Sequence, residues 1–143
     1  MVISDIKQTI PHREPFLFLE NVHFLKIGEY VEAGLRKEAL DSICTGHFPG
    51  NAVVPGVILI EAMAQAACYL FIKSILPARD SVYYMGFVKI RFHENSKPTD
   101  SINLKATSEK MFSKSALFFC EAMIGGKIIA SGQIGVVCKS GSE

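Results

Sequence analysis

The stretch Val57–Ile72, with the sequence VILIEAMAQAACYLFI, decides how the rest of the chain must fold. Its apolar side chains would cover every face of a helix, and such a helix must be buried in protein or in lipid. The run is shorter than the ~20 apolar residues of a membrane span, and it contains Glu61 and Gln65, which are costly in a bilayer. We therefore predict a central helix wrapped by a sheet, with no membrane span.

The segments on either side of this helix have the patterns of β-strands. Ile102, Leu104 and Ala106 alternate with polar residues, which is the period of a half-buried strand. Six strands are predicted, at Phe16–Lys26, Tyr30–Lys37, Val82–Phe92, Ser101–Met111, Ala116–Met123 and Lys127–Cys138. The expected fold is a single α+β domain over residues 1–143 with an antiparallel sheet. The remaining predictions are a short helix at Ser4–Gln8, an irregular stretch at 41–56 and a flexible tail at 139–143.

Composition and charge exclude several classes of protein. The chain has 143 residues, of which 49% are apolar and 20% charged, so it is not a disordered protein. Its net charge of +1 gives no support to nucleic-acid binding, which needs a strong basic excess. The sequence of residues 1–6 lacks the features of a signal peptide, and the four cysteines have no disulfide-like spacing. These features predict a cytoplasmic protein with reduced thiols.

The start of the predicted helix offers a place to polarise a carbonyl group. Pro55 and Gly56 precede the apolar run, and the first turn of a helix has free backbone N–H groups and the positive end of the helix dipole. Gly56 has no Cβ, so a ligand can approach its backbone closely. A carbonyl oxygen at this point would be stabilised as in an oxyanion hole.

An acid and a base flank this helix start in the sequence. Glu61 lies five residues into an apolar helix, where desolvation should raise the pKa of its carboxyl group and suit it to general-acid catalysis. Gln65 falls on the same face and could orient that carboxyl group. His47 lies upstream in a segment rich in Pro and Gly. Together they predict proton transfer next to a carbonyl group, and leave elimination, isomerisation and thioester hydrolysis open.

Several motifs resemble one known family. GHFPG at 46–50, PGV at 55–57 and EAMAQ at 61–65 are similar to the signature of the FabZ-type (3R)-hydroxyacyl-acyl-carrier-protein dehydratases. IPHREPFL at 10–17 and YMGFVKIRF at 84–92 resemble two further motifs of that family. The resemblance implies a hotdog fold, a long helix wrapped by an antiparallel sheet. It also implies a homodimer, often assembled into a hexamer, in which each site takes its His from one chain and its Glu from the other.

The resemblance also implies roles for individual residues. His47 would remove the C2 proton and Glu61 would protonate the departing hydroxyl group, while the Gly56 N–H binds the thioester oxygen. Val53 would hold His47 through its carbonyl group, and Gln65 would orient Glu61. Neither a metal nor an organic cofactor is implied. The expected partner is an acyl-carrier protein, for which Lys89, Arg91 and Lys97 are candidate contacts, and the acyl tunnel is predicted to be lined by Phe48, Ile58, Met63, Phe87 and Ile90.

Some positions depart from the family pattern. Val88 stands where the family often has an aspartate, and the family's Pro-Gly-Asp turn is Pro98-Thr99-Asp100 here. The stretch before that turn is His93–Ser96 rather than rich in Arg or Lys, and an Asp-Gly turn is replaced by Gly125-Gly126. These departures concern carrier recognition and acyl specificity, and they favour the hypothesis of a specialised paralogue.

Three other interpretations remain to be compared. A hotdog thioesterase would use the same helix start with a carboxylate-activated water, but the His-Phe-Pro-Gly loop argues against it. A non-catalytic subunit that binds acyl groups or carrier protein would not need both His47 and Glu61. A zinc site is suggested only by the short spacing of Cys44 and His47, and no second ligand pair follows in the sequence.

Overall fold

The computed structural model describes residues 3–141, and the side chains of residues 5–141. Its strands, in chain order, are β1 (Leu19–Lys26), β2 (Tyr30–Leu35), β3 (Val82–Phe92), β4 (Asn103–Met111), β5 (Ser115–Ile124) and β6 (Lys127–Lys139). They pair antiparallel in one sheet with the order β1-β2-β4-β5-β6-β3. The helices are α1 (Ile3–Thr9), α2 (Asp41–Thr45) and α3 (Gly56–Ile75), and a 3-10 turn at Lys37–Leu40 precedes α2.

The central helix α3 contacts all six strands, so the predicted α+β hotdog arrangement is confirmed. Twelve of its residues are buried, which explains why its sequence is apolar on every face. The helix ends where Leu76 adopts a left-handed conformation with φ of 55° and donates its N–H to the Ile72 carbonyl at 2.9 Å. The sheet therefore supplies the protein environment that such a helix requires.

The length of α3 differs from the prediction. The helix has 20 residues, so the argument that the run is too short to cross a membrane was wrong. By length and composition alone it could cross a membrane, and it is the one such helix within residues 3–141. Most of its length is buried inside this chain, so its apolar side chains already have a protein partner.

The start of β1 shows why one predicted boundary was wrong. Strand character was expected from Phe16, but β1 begins at Leu19. The backbone before it is bonded mainly to side chains, and its one backbone bond to the β2 side joins the Phe18 carbonyl to the Arg36 N–H, just after β2 ends. Gln65 bonds to the Phe16 carbonyl and the Phe18 N–H at 2.9 Å each, and the buried Arg36 donates from Nε to the Leu17 carbonyl at 2.9 Å. These contacts hold the N-terminal segment against the core beside α3.

Two further boundaries differ from the sequence prediction. The stretch 41–56 was predicted to be irregular, but its first five residues form α2, because Pro and Gly are absent until Gly46. The predicted tail at 139–143 begins within β6, where Lys139 pairs with Val82. Ser142 and Glu143 lie outside the described residues, as do Met1 and Val2 of the stretch that was compared with a signal peptide.

The edge strand β3 is exposed along most of its length. It pairs with β6 on one side, and it ends the strand order of the sheet. An edge strand carries unpaired backbone groups that favour pairing with another strand. Its exposed apolar side chains are Val82, Tyr84, Met85, Phe87, Val88 and Phe92. The strand therefore combines free backbone hydrogen-bonding groups with an apolar surface.

Candidate active site

Glu61 and Gln65 form a bonded pair on one face of α3. The Gln65 amide donates from Nε2 to Glu61 Oε2 at 3.0 Å and to the Phe16 carbonyl at 2.9 Å. Its oxygen accepts the Phe18 N–H at 2.9 Å, so the fully buried amide is bonded at both ends and its orientation is fixed. Because the amide nitrogen can only donate, Oε2 is the accepting oxygen of Glu61. Oε1 is therefore the better position for an acidic proton.

Burial makes Glu61 a weak acid. Its side chain is 17% exposed, and desolvation raises the pKa of the carboxyl group above its usual value. The hydrogen bond from Gln65 acts in the opposite direction and is the smaller effect. A carboxyl group whose pKa is raised by burial suits the predicted role of general acid.

We expect Gln65→Leu to lower the free energy of unfolding by about 1–3 kcal/mol, because it leaves the buried Phe18 N–H without a partner and removes the bond to the Phe16 carbonyl. Chemical denaturation monitored by circular dichroism measures the change. Gln8→Leu is the matched control, since Gln8 is exposed on α1. Equal stability of Gln65→Leu and the control would show that the three bonds of Gln65 contribute little to folding.

The loop that carries His47 is held closed by backbone hydrogen bonds. The His47 carbonyl accepts the Val53 N–H at 2.7 Å, and Phe48 and Asn51 exchange N–H···O bonds of 3.3 and 3.0 Å. Nδ1 of His47 lies 3.2 Å from the Val53 carbonyl oxygen. An acceptor there places the ring proton on Nδ1 and leaves Nε2 as a free base. The contact between His47 and Val53 is the one that the resemblance implies.

Gly56 begins α3, as predicted. Pro55 precedes it, no side chain caps the helix, and Ile58 and Leu59 both donate to the Pro55 carbonyl. The N–H groups of Gly56 and Val57, which precede these two donors, thus have no partner inside the helix. The ring of Phe92 covers the Cα of Gly56, because a Cβ there would lie 2.8 Å from its Cζ atom. From the sequence a ligand was expected in this position, and the ring of Phe92 was not predicted.

A cavity of about 50 Å³ lies beside Glu61, on the side of the helix that faces β3. His47 is not in its wall, so within one chain the predicted base and acid do not face the same cavity. His12 is in the wall, and its Nε2 is 3.6 Å from Glu61 Oε2. His12 is part of the motif IPHREPFL at 10–17, but its sequence position predicted no role for it. The lining residues are His12, Glu61, Ala64, Cys68, Tyr83, Tyr84, Met85 and Val136.

The residues predicted to line an acyl tunnel are spread over several surfaces. Ile58 and Met63 are buried in α3, Ile90 is half-buried, and Phe48 and Phe87 are about half exposed. The wall of the cavity beside Glu61 is made by other residues. A tunnel lined by these five residues stays a prediction that concerns the assembled protein.

The candidate carrier contacts are only partly brought together. Lys89 and Arg91 lie with His93 and Gln133 along an open groove between β3 and β6. Lys97 is not among the residues that line that groove, and its backbone N–H donates to the Asp100 carboxylate at 2.7 Å. The structure therefore gives two of the three predicted cations a shared surface.

In the described part of the chain, Cys44 and His47 are not joined by further side chains that would complete a zinc site. Cys44 is buried, and desolvation raises the pKa of its thiol, which disfavours the thiolate that zinc needs. Within residues 3–141 no cluster of three or more His, Cys, Asp or Glu side chains could hold a metal ion. The zinc hypothesis gains no support from the arrangement.

Comparison with known proteins places the chain in a family. The family model described as a FabA-like domain matches residues 10–133, which include the N-terminal segment, the His47 loop, α3 and most of β6. The chain belongs to the FabA-like family. This domain therefore contains every residue discussed above as a candidate acid, base or backbone donor.

Two relatives of this FabA-like chain carry the same curated name, 3-hydroxyacyl-[acyl-carrier-protein] dehydratase FabZ. The protein from Lactiplantibacillus plantarum is 38% identical over 124 residues, which cover 87% of this chain and 84% of the relative. The protein from Enterococcus faecalis is 31% identical over 134 residues, which cover 94% of this chain and 95% of the relative. The predicted resemblance to FabZ-type dehydratases is thereby confirmed.

A solved structure supports the fold of this FabA-like chain. The dehydratase heterocomplex ApeI:P from Xenorhabdus doucetiae contains a chain with a TM-score of 0.81 and 17% sequence identity. The alignment covers 96% of this chain and 93% of that chain. At this identity the likeness concerns the fold alone, and it agrees with the hotdog arrangement of α3 and the sheet.

Proposed function

We propose that this chain is a hydro-lyase that removes water from a (3R)-3-hydroxyacyl thioester and releases the trans-2-enoyl thioester. The observation that carries the proposal is Glu61. Its side chain is only 17% exposed, its carboxyl group has a raised pKa and accepts a hydrogen bond from Gln65, and it lies five residues after Gly56 at the start of α3. The two FabZ relatives, aligned over most of their length, support the same reaction.

The reaction needs three groups with distinct tasks. Nε2 of His47 takes a proton from C2, and the electron pair of that C–H bond forms the C2–C3 double bond. The C3–O bond breaks as Glu61 Oε1 gives its proton to the departing oxygen, which leaves as water. The Gly56 N–H at the start of α3 binds the thioester oxygen and stabilises the negative charge that develops there. This elimination of water conserves atoms and electrons without an oxidant, a reductant or a metal.

The complete site requires a second copy of the chain. His47 does not line the cavity beside Glu61, and β3 is an exposed edge strand beside that cavity. Pairing of β3 with the β3 of a second chain would cover its apolar side chains and place the partner's loop near Glu61. We propose a homodimer with two shared sites, and sedimentation distinguishes it from a hexamer of three such dimers.

We expect Phe87→Lys to convert the homodimer into a monomer with less than a tenth of the wild-type activity, because a charge on the paired edge strand opposes its burial. Phe112→Lys is the matched control. Phe112 is an equally large exposed apolar residue, but it lies in the turn after β4. Analytical ultracentrifugation gives the oligomeric state, and an unchanged dimer in Phe87→Lys would place the interface elsewhere.

The acyl donor of the proposed reaction is an acyl-carrier protein in the cytoplasm. Acyl-carrier protein is named as the carrier in both FabZ relatives. The groove with Lys89, Arg91 and His93 offers positive charge for an acidic carrier surface. Turnover with the housekeeping carrier at the rate of a housekeeping enzyme would contradict the hypothesis of a specialised paralogue.

Product analysis separates the three candidate functions. The purified protein is incubated with (3R)-3-hydroxyacyl thioesters of several chain lengths, each on acyl-carrier protein. The proposed dehydratase gives the enoyl thioester, seen as enone absorbance, without release of thiol. Free acid and thiol without enoyl product would establish a thioesterase. Carrier binding without either product would establish a non-catalytic subunit.

A further inference from the structure

His12 is a half-buried imidazole that faces the proposed acid. It lies between α1 and β1, in the segment held down by Gln65 and Arg36. Its side chain is 21% exposed, and it closes one side of the cavity beside Glu61. The distance of 3.6 Å from Nε2 to Glu61 Oε2 is slightly longer than a hydrogen bond. Contacts of this kind are often long before substrate binds and shorten in the reacting complex.

The contact with Glu61 determines the tautomer of His12. Nδ1 is buried, and it has no hydrogen-bond partner among the described residues, so it is unpaired in either tautomer. The two tautomers therefore differ at Nε2, where a proton points at Oε2 of Glu61, the oxygen that accepts the Gln65 bond. The arrangement favours the tautomer that can donate to Glu61.

The surroundings keep His12 neutral. Burial lowers the pKa of its imidazole, and the positive charge of the neighbouring Arg13 lowers it further. The Arg13 guanidinium donates to the backbone carbonyls of Lys7, Ile10 and His12 rather than to Glu61. The other titratable groups in the wall of the cavity are Cys68 of α3 and Tyr83 and Tyr84 of β3.

The two neighbours with altered pKa values do not compete for this role. Burial raises the pKa of the Cys68 thiol and raises that of Tyr83 to about 12, so both stay neutral near pH 7. Glu61 is thus the group in this cavity that changes charge during the proposed reaction. A neutral donor that faces it gains strength as the carboxylate forms.

We propose that His12 is a positioning residue of the dehydratase, which donates from Nε2 to Glu61 Oε2 as Glu61 gives up its proton. The inference rests on the proposed function. Gln65 and His12 would then hold Oε2 from two sides, and Oε1 would face the substrate with the proton. Negative charge appears on Glu61 only as the C3–O bond breaks, so the bond from His12 stabilises the transition state more than the ground state.

A matched pair of variants tests this role. His12→Gln keeps an N–H donor at a similar reach, and His12→Met has a similar length without a donor. We expect His12→Met to lower kcat about 10-fold with little change in KM, less than the ~100-fold typical of a donor that binds the reacting oxygen directly. His12→Gln should retain most of the wild-type kcat.

The titration of Glu61 provides a second measurement that a merely structural role would not change. The carboxyl carbon of Glu61 is followed by carbon-13 NMR, and the signal is assigned by its loss in Glu61→Gln. Losing a hydrogen bond to the ionised form should raise the titration midpoint by about half a pH unit or more in His12→Met, while His12→Gln should stay close to the wild type.

The results for His12→Met and His12→Gln decide between a positioning role and a structural role of His12. Equal loss of activity in both variants, in proportion to a lowered melting temperature, would overturn the inference and make His12 a structural residue. An unchanged kcat and midpoint in His12→Met would also overturn it. If the wild-type protein forms no enoyl thioester, the proposed function fails instead, and the NMR titration alone still tests the contact between His12 and Glu61.

Discussion

We expect Glu61→Gln to lower kcat at least ~100-fold, the scale of a lost general acid. The amide has nearly the same shape and can still accept the Gln65 bond through its oxygen, but it has no proton to give to the departing hydroxyl group. Steady-state turnover of a (3R)-3-hydroxyacyl thioester measures the loss. Glu32→Gln is the matched control, because Glu32 is also half-buried but lies on β2 opposite Lys105.

The same variant should be at least as stable as the wild type near neutral pH. The folded-state pKa of Glu61 is raised by burial, so the protonated carboxyl group favours folding at acidic pH and this contribution is lost as pH rises through that pKa. An amide does not ionise and avoids the loss. Near-normal turnover of Glu61→Gln would remove Glu61 from its assigned role, and an inactive but unfolded variant is recognised from its melting curve.

We expect His47→Ala to lower kcat to a similar degree, at least ~100-fold, because it removes the proposed base for the C2 proton. The variant also allows a test of the shared site. Chains carrying His47→Ala and chains carrying Glu61→Gln are produced together so that mixed dimers form. If each site takes His47 from one chain and Glu61 from the other, a mixed dimer contains one intact site, and random pairing restores roughly a quarter of the wild-type activity.

The control for this experiment is the mixture of the two variants purified separately and assayed before subunits exchange. That mixture should remain as inactive as its components. Failure of the co-produced chains to recover activity, with mixed dimers demonstrated by mass spectrometry, would place both residues of each site in the same chain. The dehydratase proposal would survive that result, but the proposal of a site shared between two chains would not.

Helix α3 and the strands could be predicted from sequence because their signals are local. Val57–Ile72 is apolar on every face, and the alternation of Ile102, Leu104 and Ala106 is the pattern of one strand. Boundaries were less accurate where side chains replace strand pairing. The bonds from Gln65 to Phe16 and Phe18 cross 49 and 47 residues of sequence, and no local pattern predicts them.

The pairs Glu61–Gln65 and His47–Val53 could be expected because their members are close in sequence. His12 and Phe92 were missed for the opposite reason. His12 reaches Glu61 from 49 positions away, and Phe92 covers Gly56 from the far end of β3. Only the folded sheet brings these side chains to α3.

The two hydrogen bonds between Gln65 and the N-terminal segment make the fixation of Glu61 measurable. The amide hydrogen of Phe18 is held by Gln65 Oε1, and the amide nitrogen of the same side chain holds Glu61. That hydrogen can exchange for deuterium only when its hydrogen bond to Gln65 is broken. The rate at which the Phe18 amide takes up deuterium can be measured by NMR without substrate. It therefore reports how often Gln65 moves away and the hydrogen bond from Gln65 to Glu61 is lost.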